Sequence, residues 1–120
     1  VTFARGPGAS DYLTHPFGKG VPLGWGPNIH PALYRSFKEL AESLDIPSRM
    51  DVMPGNSGTD AVATQITAEG IPSMVISIPL RYMHTPVEIV QIKDIRRVGQ
   101  LLAAFISRLE PDYFDTIRWE

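Results

Sequence analysis

The clearest hydrophobic periodicity lies between His30 and Leu44, where Leu33, Phe37, Leu40, Ala41 and Leu44 recur at helical spacing and Arg35, Lys38, Glu39 and Glu42 fall off that face. This pattern predicts an amphipathic helix, with Asn28 capping its start, Pro31 in its first turn and Asp45-Ile46-Pro47 ending it. A second clear register begins at Asp94, read as a cap, and runs through Ile95, Val98, Leu102, Phe105 and Leu109. Between these helices, Arg49 to Met53 reads as a short strand. The turn Gly55-Asn56-Ser57-Gly58 then leads into a helix over Thr59 to Glu69, with Val62, Ala63 and Ile66 on one side and Gly70 as the left-handed stop. Ile71 to Leu80 is almost wholly apolar through Met74, Val75, Ile76 and Ile78, as expected of a central strand buried on both faces. Val1 to Ala4 is short and β-prone; opening on Val in mid-strand without an initiator Met, it suggests an N-terminal truncation. Alternating strands and helices predict an α/β sheet with helices on its faces.

Glycine and proline change this picture in one place. Between Gly6 and Pro31 lie six glycines and five prolines, interleaved with Tyr12, Phe17 and Trp25. Turn-formers at that density predict a long loop of about 20 residues rather than a helix or a central strand. Leu13, Phe17, Val21, Leu23 and Trp25 would pack that loop onto the domain.

The chain has 120 residues, enough for one domain core or part of one and too few for two. Eleven Lys and Arg against thirteen Asp and Glu leave a net charge of −2, which points away from nucleic acid as a partner. No apolar run approaches a membrane span, so no membrane partner is expected. With no cysteine, disulfides and thiolate metal sites are excluded, which fits the cytoplasm, and any metal must sit on His, Asp or Glu.

In an α/β sheet, ligands bind beyond the carboxyl ends of the strands. Two stretches are expected to converge there: Gly55-Asn56-Ser57-Gly58-Thr59-Asp60, and Arg81 to Glu88 directly after the buried strand. The first reads as a capping turn, since Ser, Thr and Asp accept hydrogen bonds from free helix N–H groups. Its alternative is a serine-hydrolase elbow with Ser57 activated by His84, but the G-x-S-x-G pattern is broken at Thr59. In the second stretch His84 is a candidate metal ligand, and Glu88 could orient its imidazole. His15, inside the long loop, and His30, just before a helical proline, are weaker candidates. No H-x-x-x-H or H-x-D pair occurs, so the chain shows no complete metal site by itself.

Taken in order, Val1-Thr2-Phe3-Ala4, Gly18-Lys19-Gly20, Gly24-Trp25-Gly26-Pro27-Asn28-Ile29, Ser57-Gly58-Thr59-Asp60-Ala61, Gly70-Ile71-Pro72-Ser73 and Ile76 to Glu88 resemble the C-terminal part of the glutamyl aminopeptidase family, the tetrahedral or deblocking metallo-aminopeptidases. The most specific piece is the run from Ile76 to Glu88. The resemblance implies a three-layer α/β/α sandwich of the zinc-peptidase type, of which residues 1–120 form the C-terminal segment, without the N-terminal part and the inserted domain. It implies two divalent ions, zinc or cobalt, removal of N-terminal residues from peptide substrates, and a homo-oligomer, often a dodecamer. It makes His84 a metal ligand and Gly58, Thr59 and Arg81 lining of the substrate cleft, with Asp60 fastening the turn. The general-base Glu and the other ligands are expected upstream of Val1, so the active site is incomplete in this chain and the chain alone is expected to be inactive. The reading from a different class is a non-catalytic folded fragment or partner-binding module.

Overall fold

In the computed structural model, which describes residues 2–4, 14–55 and 58–117, the elements run β1 (Thr2–Phe3), β2 (Val21–Trp25), α1 (Pro31–Ser43), β3 (Ser48–Val52), α2 (Ala61–Gln65), β4 (Pro79–Arg81), β5 (Ile89–Val90), α3 (Ile92–Ser107) and α4 (Tyr113–Thr116). β1 pairs in parallel with β4, which pairs antiparallel with β5; separately, β2 pairs in parallel with β3. An antiparallel bridge, Leu23 to Ile76, joins β2 to the extended segment that leads into β4.

Leu23 is also the centre of the core. With Val21, Ile29, Tyr34, Phe37, Ala41 and Leu101 it forms the buried cluster, against which Val98 and Phe105 pack. The Phe37 and Phe105 rings stack at 4.1 Å between centroids. Each fully buried aliphatic or aromatic side chain of this kind contributes about 1.5–3 kcal/mol. α1 and α3 pack on each other and both on β2, so these two helices share one side of it and the described residues form a mixed α/β arrangement.

The strand β2 lies inside the segment expected to be a loop. Its Gly and Pro content is tolerated because of where the hydrogen bonds fall. Beside the Leu23–Ile76 bridge, the Pro22 carbonyl accepts from Ser77 N–H at 3.0 Å and Gly24 N–H donates to Val75 at 2.9 Å, so Pro22 keeps the accepting half of its pairing with Ser77 and forgoes only the return bond from the N–H it lacks. Gly24 and Gly26 leave room for close neighbours: a Cβ on Gly24 would lie 3.0 Å from the Val75 carbonyl oxygen, and one on Gly26 would overlap the Met53 carbonyl.

Other expectations are corrected in detail. Ile71 to Leu80 forms a strand only from Pro79; Met74, Val75 and Ile76 are half-buried and extended alongside β2. The helix expected from Thr59 to Glu69 is confined to Ala61–Gln65, has no buried residue, and leaves Ile66 three-quarters exposed. Ala68 and Gly70 take left-handed backbone just after it, and Ile71 N–H bonds back to the Gln65 carbonyl at 3.1 Å. In α3 the apolar set splits: Val98 and Phe105 turn inward with Leu101, whereas Ile95 and Leu102 are exposed.

Asp94 is not the cap of α3; Gln91 holds that position. The Asp94 carboxylate is buried and accepts the Gly18 N–H on both oxygens, at 3.0 Å each, while Arg97 Nη1 donates to the Gly18 carbonyl at 2.8 Å. The first turns of α3 thus clamp the chain just before β2, at a glycine whose φ of +68° suits a residue without Cβ.

The cap of α1 is likewise not Asn28 but His30, whose Nδ1 accepts the Ala32 N–H at 3.1 Å. This bond needs an unprotonated Nδ1. Burial, and then the nearby Arg35 charge, lower the His30 pKa from its ordinary 6.5. A base whose folded pKa is depressed gives stability that is fully present above pH 6.5 and declines as pH falls below it toward the folded pKa. The His30→Asn variant keeps a capping side chain without a titrating one. Thermal melts from neutral to mildly acidic pH are expected to show a smaller acid loss in the variant than in the parent; parallel curves would refute the assignment.

Candidate functional site

The turn joining β4 to β5 carries most of the candidate chemistry. Tyr82 and His84 both adopt left-handed backbone, φ +63° and +62°, which is costly for bulky side chains and persists only where surrounding bonds hold it. Two such bonds are present. Thr85 Oγ1 lies 2.6 Å from the Tyr82 carbonyl and 2.7 Å from that of Val87, and its one proton can serve either. Glu88 Oε1 accepts the His84 backbone N–H at 2.9 Å. Glu88 therefore bonds the backbone of the loop and so shapes it, and the His84 side chain is presented to solvent. Three residues earlier, the Arg81 guanidinium stacks over the Phe17 ring, 4.9 Å from its centroid.

The other two histidines have structural surroundings. His15 is buried with its Nε2 3.2 Å from Asp51 Oδ1, an interaction the sequence reading missed, and His30 caps α1. Of the three, His84 alone exposes its ring.

In the stretch from Gly55 to Asp60, Ser57 lies outside the described residues. Gly58 is left-handed at φ +69° and borders open space. Thr59, not Asp60, supplies a side-chain acceptor to α2: its Oγ1 takes the Ala61 N–H at 3.3 Å, and the Asp60 carboxylate makes no cap bond. The far end of α2 is latched to the exit of β2, where Gln65 accepts from Asn28 Nδ2 at 2.9 Å and donates to the Pro27 carbonyl at 3.1 Å. Asn28 owes its burial to that latch rather than to capping.

The two stretches do not leave parallel strands at a common end. β2 runs parallel to β3 but antiparallel to the chain entering β4, so the exit of β3 and the exit of β4 point in opposite directions. Arg81 accordingly lies over Phe17, ahead of the start of β2, whereas Asn28 and Gln65 meet beyond its end. Strand direction alone therefore does not bring Gly58 and Thr59 to His84.

Among the described residues, no three His, Asp or Glu side chains gather into a metal-binding group. Two divalent ions held about 3.5–4 Å apart require several ligands, and one imidazole does not fit that demand. No helix among the described residues is long and apolar enough to cross a membrane.

Comparison with known proteins places these features in context. The family model described as M42 glutamyl aminopeptidase matches residues 1–101. The lysyl aminopeptidase of Pyrococcus furiosus is 38% identical over 111 residues, covering 92% of this chain and 32% of its own length. The crystal structure of a TET aminopeptidase from a marine sediment archaeon of the Thaumarchaeota superposes with a TM-score of 0.87 at 28% identity, over 96% of this chain and 33% of that one. PhTET1-12s, a dodecamer in its asymmetric unit, shares the fold with a TM-score of 0.63 at 22% identity, over 90% of this chain and 32% of that one. The chain therefore spans about a third of the length of the relatives it matches. With the family model matching residues 1–101, most of its length, this chain belongs to the M42 glutamyl aminopeptidase family of metallo-aminopeptidases.

Proposed function

We propose that this chain forms the C-terminal part of the catalytic domain of a cytoplasmic two-metal aminopeptidase, which removes N-terminal residues from peptides. In that reading the sheet and the helices on one side of β2 are two layers of a three-layer α/β/α sandwich, completed by polypeptide outside these residues. His84 ligates one of two divalent ions, zinc or cobalt, and Gly58, Thr59 and Arg81 line the cleft that receives the peptide. The general base and the remaining ligands come from elsewhere in the enzyme, whose working form is a homo-oligomer of the dodecameric kind found for PhTET1-12s.

The observation that carries this reading is the His84 loop. The backbone is held in an unfavourable conformation by Thr85 and Glu88, and the outcome is a solvent-facing imidazole at a strand exit. Such strain is characteristic of sites where a side chain must be aimed. In this reading His84 is the one ligand that the described residues supply.

In the complete enzyme, His84→Ala is expected to lower metal affinity at least tenfold, since even partners that merely orient a ligand cost about 10–100-fold when removed. The fold should be unaffected, because an exposed ring contributes little packing. Metal analysis after dialysis, with circular dichroism as control, makes the measurement. Full metal content with wild-type turnover would refute the role of His84.

A further inference from the structure

Arg81 ends β4, three residues before His84. Its backbone is held by the pairing with Ile89 of β5, but the strand ladder says nothing about a long side chain with several rotatable bonds. The support for that side chain comes from a distant part of the sequence. The Phe17 ring lies against the guanidinium, whose central carbon is 4.9 Å from the ring centroid, and both residues are half-buried. Phe17 is itself fixed on either side. Two positions earlier, His15 is buried, its backbone bridged to Ala4 and its Nε2 3.2 Å from Asp51 Oδ1. Immediately after it, Gly18 is held by the Asp94 carboxylate through its N–H and by Arg97 through its carbonyl. None of these contacts involves Arg81, so the ring is a platform set before the guanidinium reaches it.

We propose that Phe17 is a positioning residue, whose ring aims the Arg81 guanidinium so that its N–H donors meet an oxygen of the bound peptide. The chemistry of the contact suits that task. The negative face of the ring attracts the cation, yet it offers no carboxylate or carbonyl oxygen, so this contact orients the guanidinium without neutralising its charge. A planar group with five donors in a fixed fork then meets the peptide with fewer of its rotamers left to lose. Phe17 acts through Arg81 and contributes no donor or acceptor of its own. The inference rests on the reading of Arg81 as lining of the peptide cleft, and it gives the glycine- and proline-rich segment before β2 a part in substrate binding.

The test is the hydrolysis of short peptides by the complete enzyme. Phe17→Leu removes the ring face while keeping an apolar side chain, and is expected to raise KM about two- to fivefold, the effect of losing an exposed cation–π contact. Turnover number and metal content should stay at the parent's values, because an interaction made equally in the ground state and the transition state moves KM alone. Phe17→Tyr keeps the ring face and should match the parent. Pentafluorophenylalanine at position 17 keeps the shape of the ring but reverses its quadrupole, so it should behave as Phe17→Leu does, and it decides the matter if the leucine variant fails to fold. Arg81→Gln should raise KM about tenfold or more, and in that background Phe17→Leu should add nothing. A Phe17→Leu effect of equal size in both backgrounds would show that the ring acts on something other than Arg81 and would overturn the proposal. So would a parental KM for the leucine and fluorinated variants beside a raised KM for Arg81→Gln, an outcome that leaves the cleft role of Arg81 standing. A parental KM for Arg81→Gln would overturn that role, and this proposal with it.

Discussion

Replacing Asp94 by alanine is expected to destabilise the fold by about 3 kcal/mol. The carboxylate is 2% exposed and both oxygens take the Gly18 N–H, so its removal leaves that donor without its partner while Arg97 still draws on the carbonyl of the same residue. Hydrogen bonds to charged groups contribute about 1.5–3 kcal/mol, and a buried donor left unpaired adds its own desolvation cost. Gly18 leads directly into β2, whose Val21 and Leu23 are core residues, so loosening the clamp also loosens the entry to the central strand. Asp94→Asn keeps an acceptor but loses the charge, and should fall between alanine and the parent. Urea unfolding followed by fluorescence of the two tryptophans gives the ranking. An unshifted midpoint for the alanine variant would show that the clamp contributes nothing to stability.

The same clamp illustrates where sequence reasoning reaches its limit. The periodicity of residues 33–44 predicted α1 because one face of that helix is fully committed to the core, and pattern and burial then coincide. In α3 the pattern found the helix but not its orientation: an apolar arc wide enough for two faces leaves open which stripe turns inward, and Leu101 was overlooked. β2 was hidden because Pro22 and Gly24 are strand breakers in general, and only the neighbour's hydrogen-bond pattern shows that the bonds made by the Pro22 carbonyl and the Gly24 N–H hold the strand despite one missing donor. Asp94 was read as a cap because capping is local, while its actual partner Gly18 lies 76 positions away. Long-range polar pairs of this kind, including His15 with Asp51, leave no spacing signal. At the candidate site, His84 could be singled out by its motif. The left-handed backbone at Tyr82 and His84 could not, since neither residue type announces a positive φ. Convergence of the two stretches cannot be read from parallel strand direction, as the sequence reading presumed, because the Leu23–Ile76 bridge is antiparallel.

The second large effect concerns activity. In the proposed reading, a site holding one ligand and no base should show no aminopeptidase turnover, since the general base alone is typically responsible for 10²–10⁴-fold and the second ion needs ligands that the described residues do not gather. Supplying the missing ligands and base on the remaining polypeptide should restore turnover, and His84→Ala should prevent that restoration. The decisive measurement is hydrolysis of amino-acid and peptide p-nitroanilides by the purified chain with zinc or cobalt, with and without the remainder of the catalytic domain. The account predicts no turnover by the chain alone, and chelator-sensitive turnover when the two parts are combined. Chelator-sensitive turnover by the chain alone would contradict it, because the site would then be complete within these 120 residues.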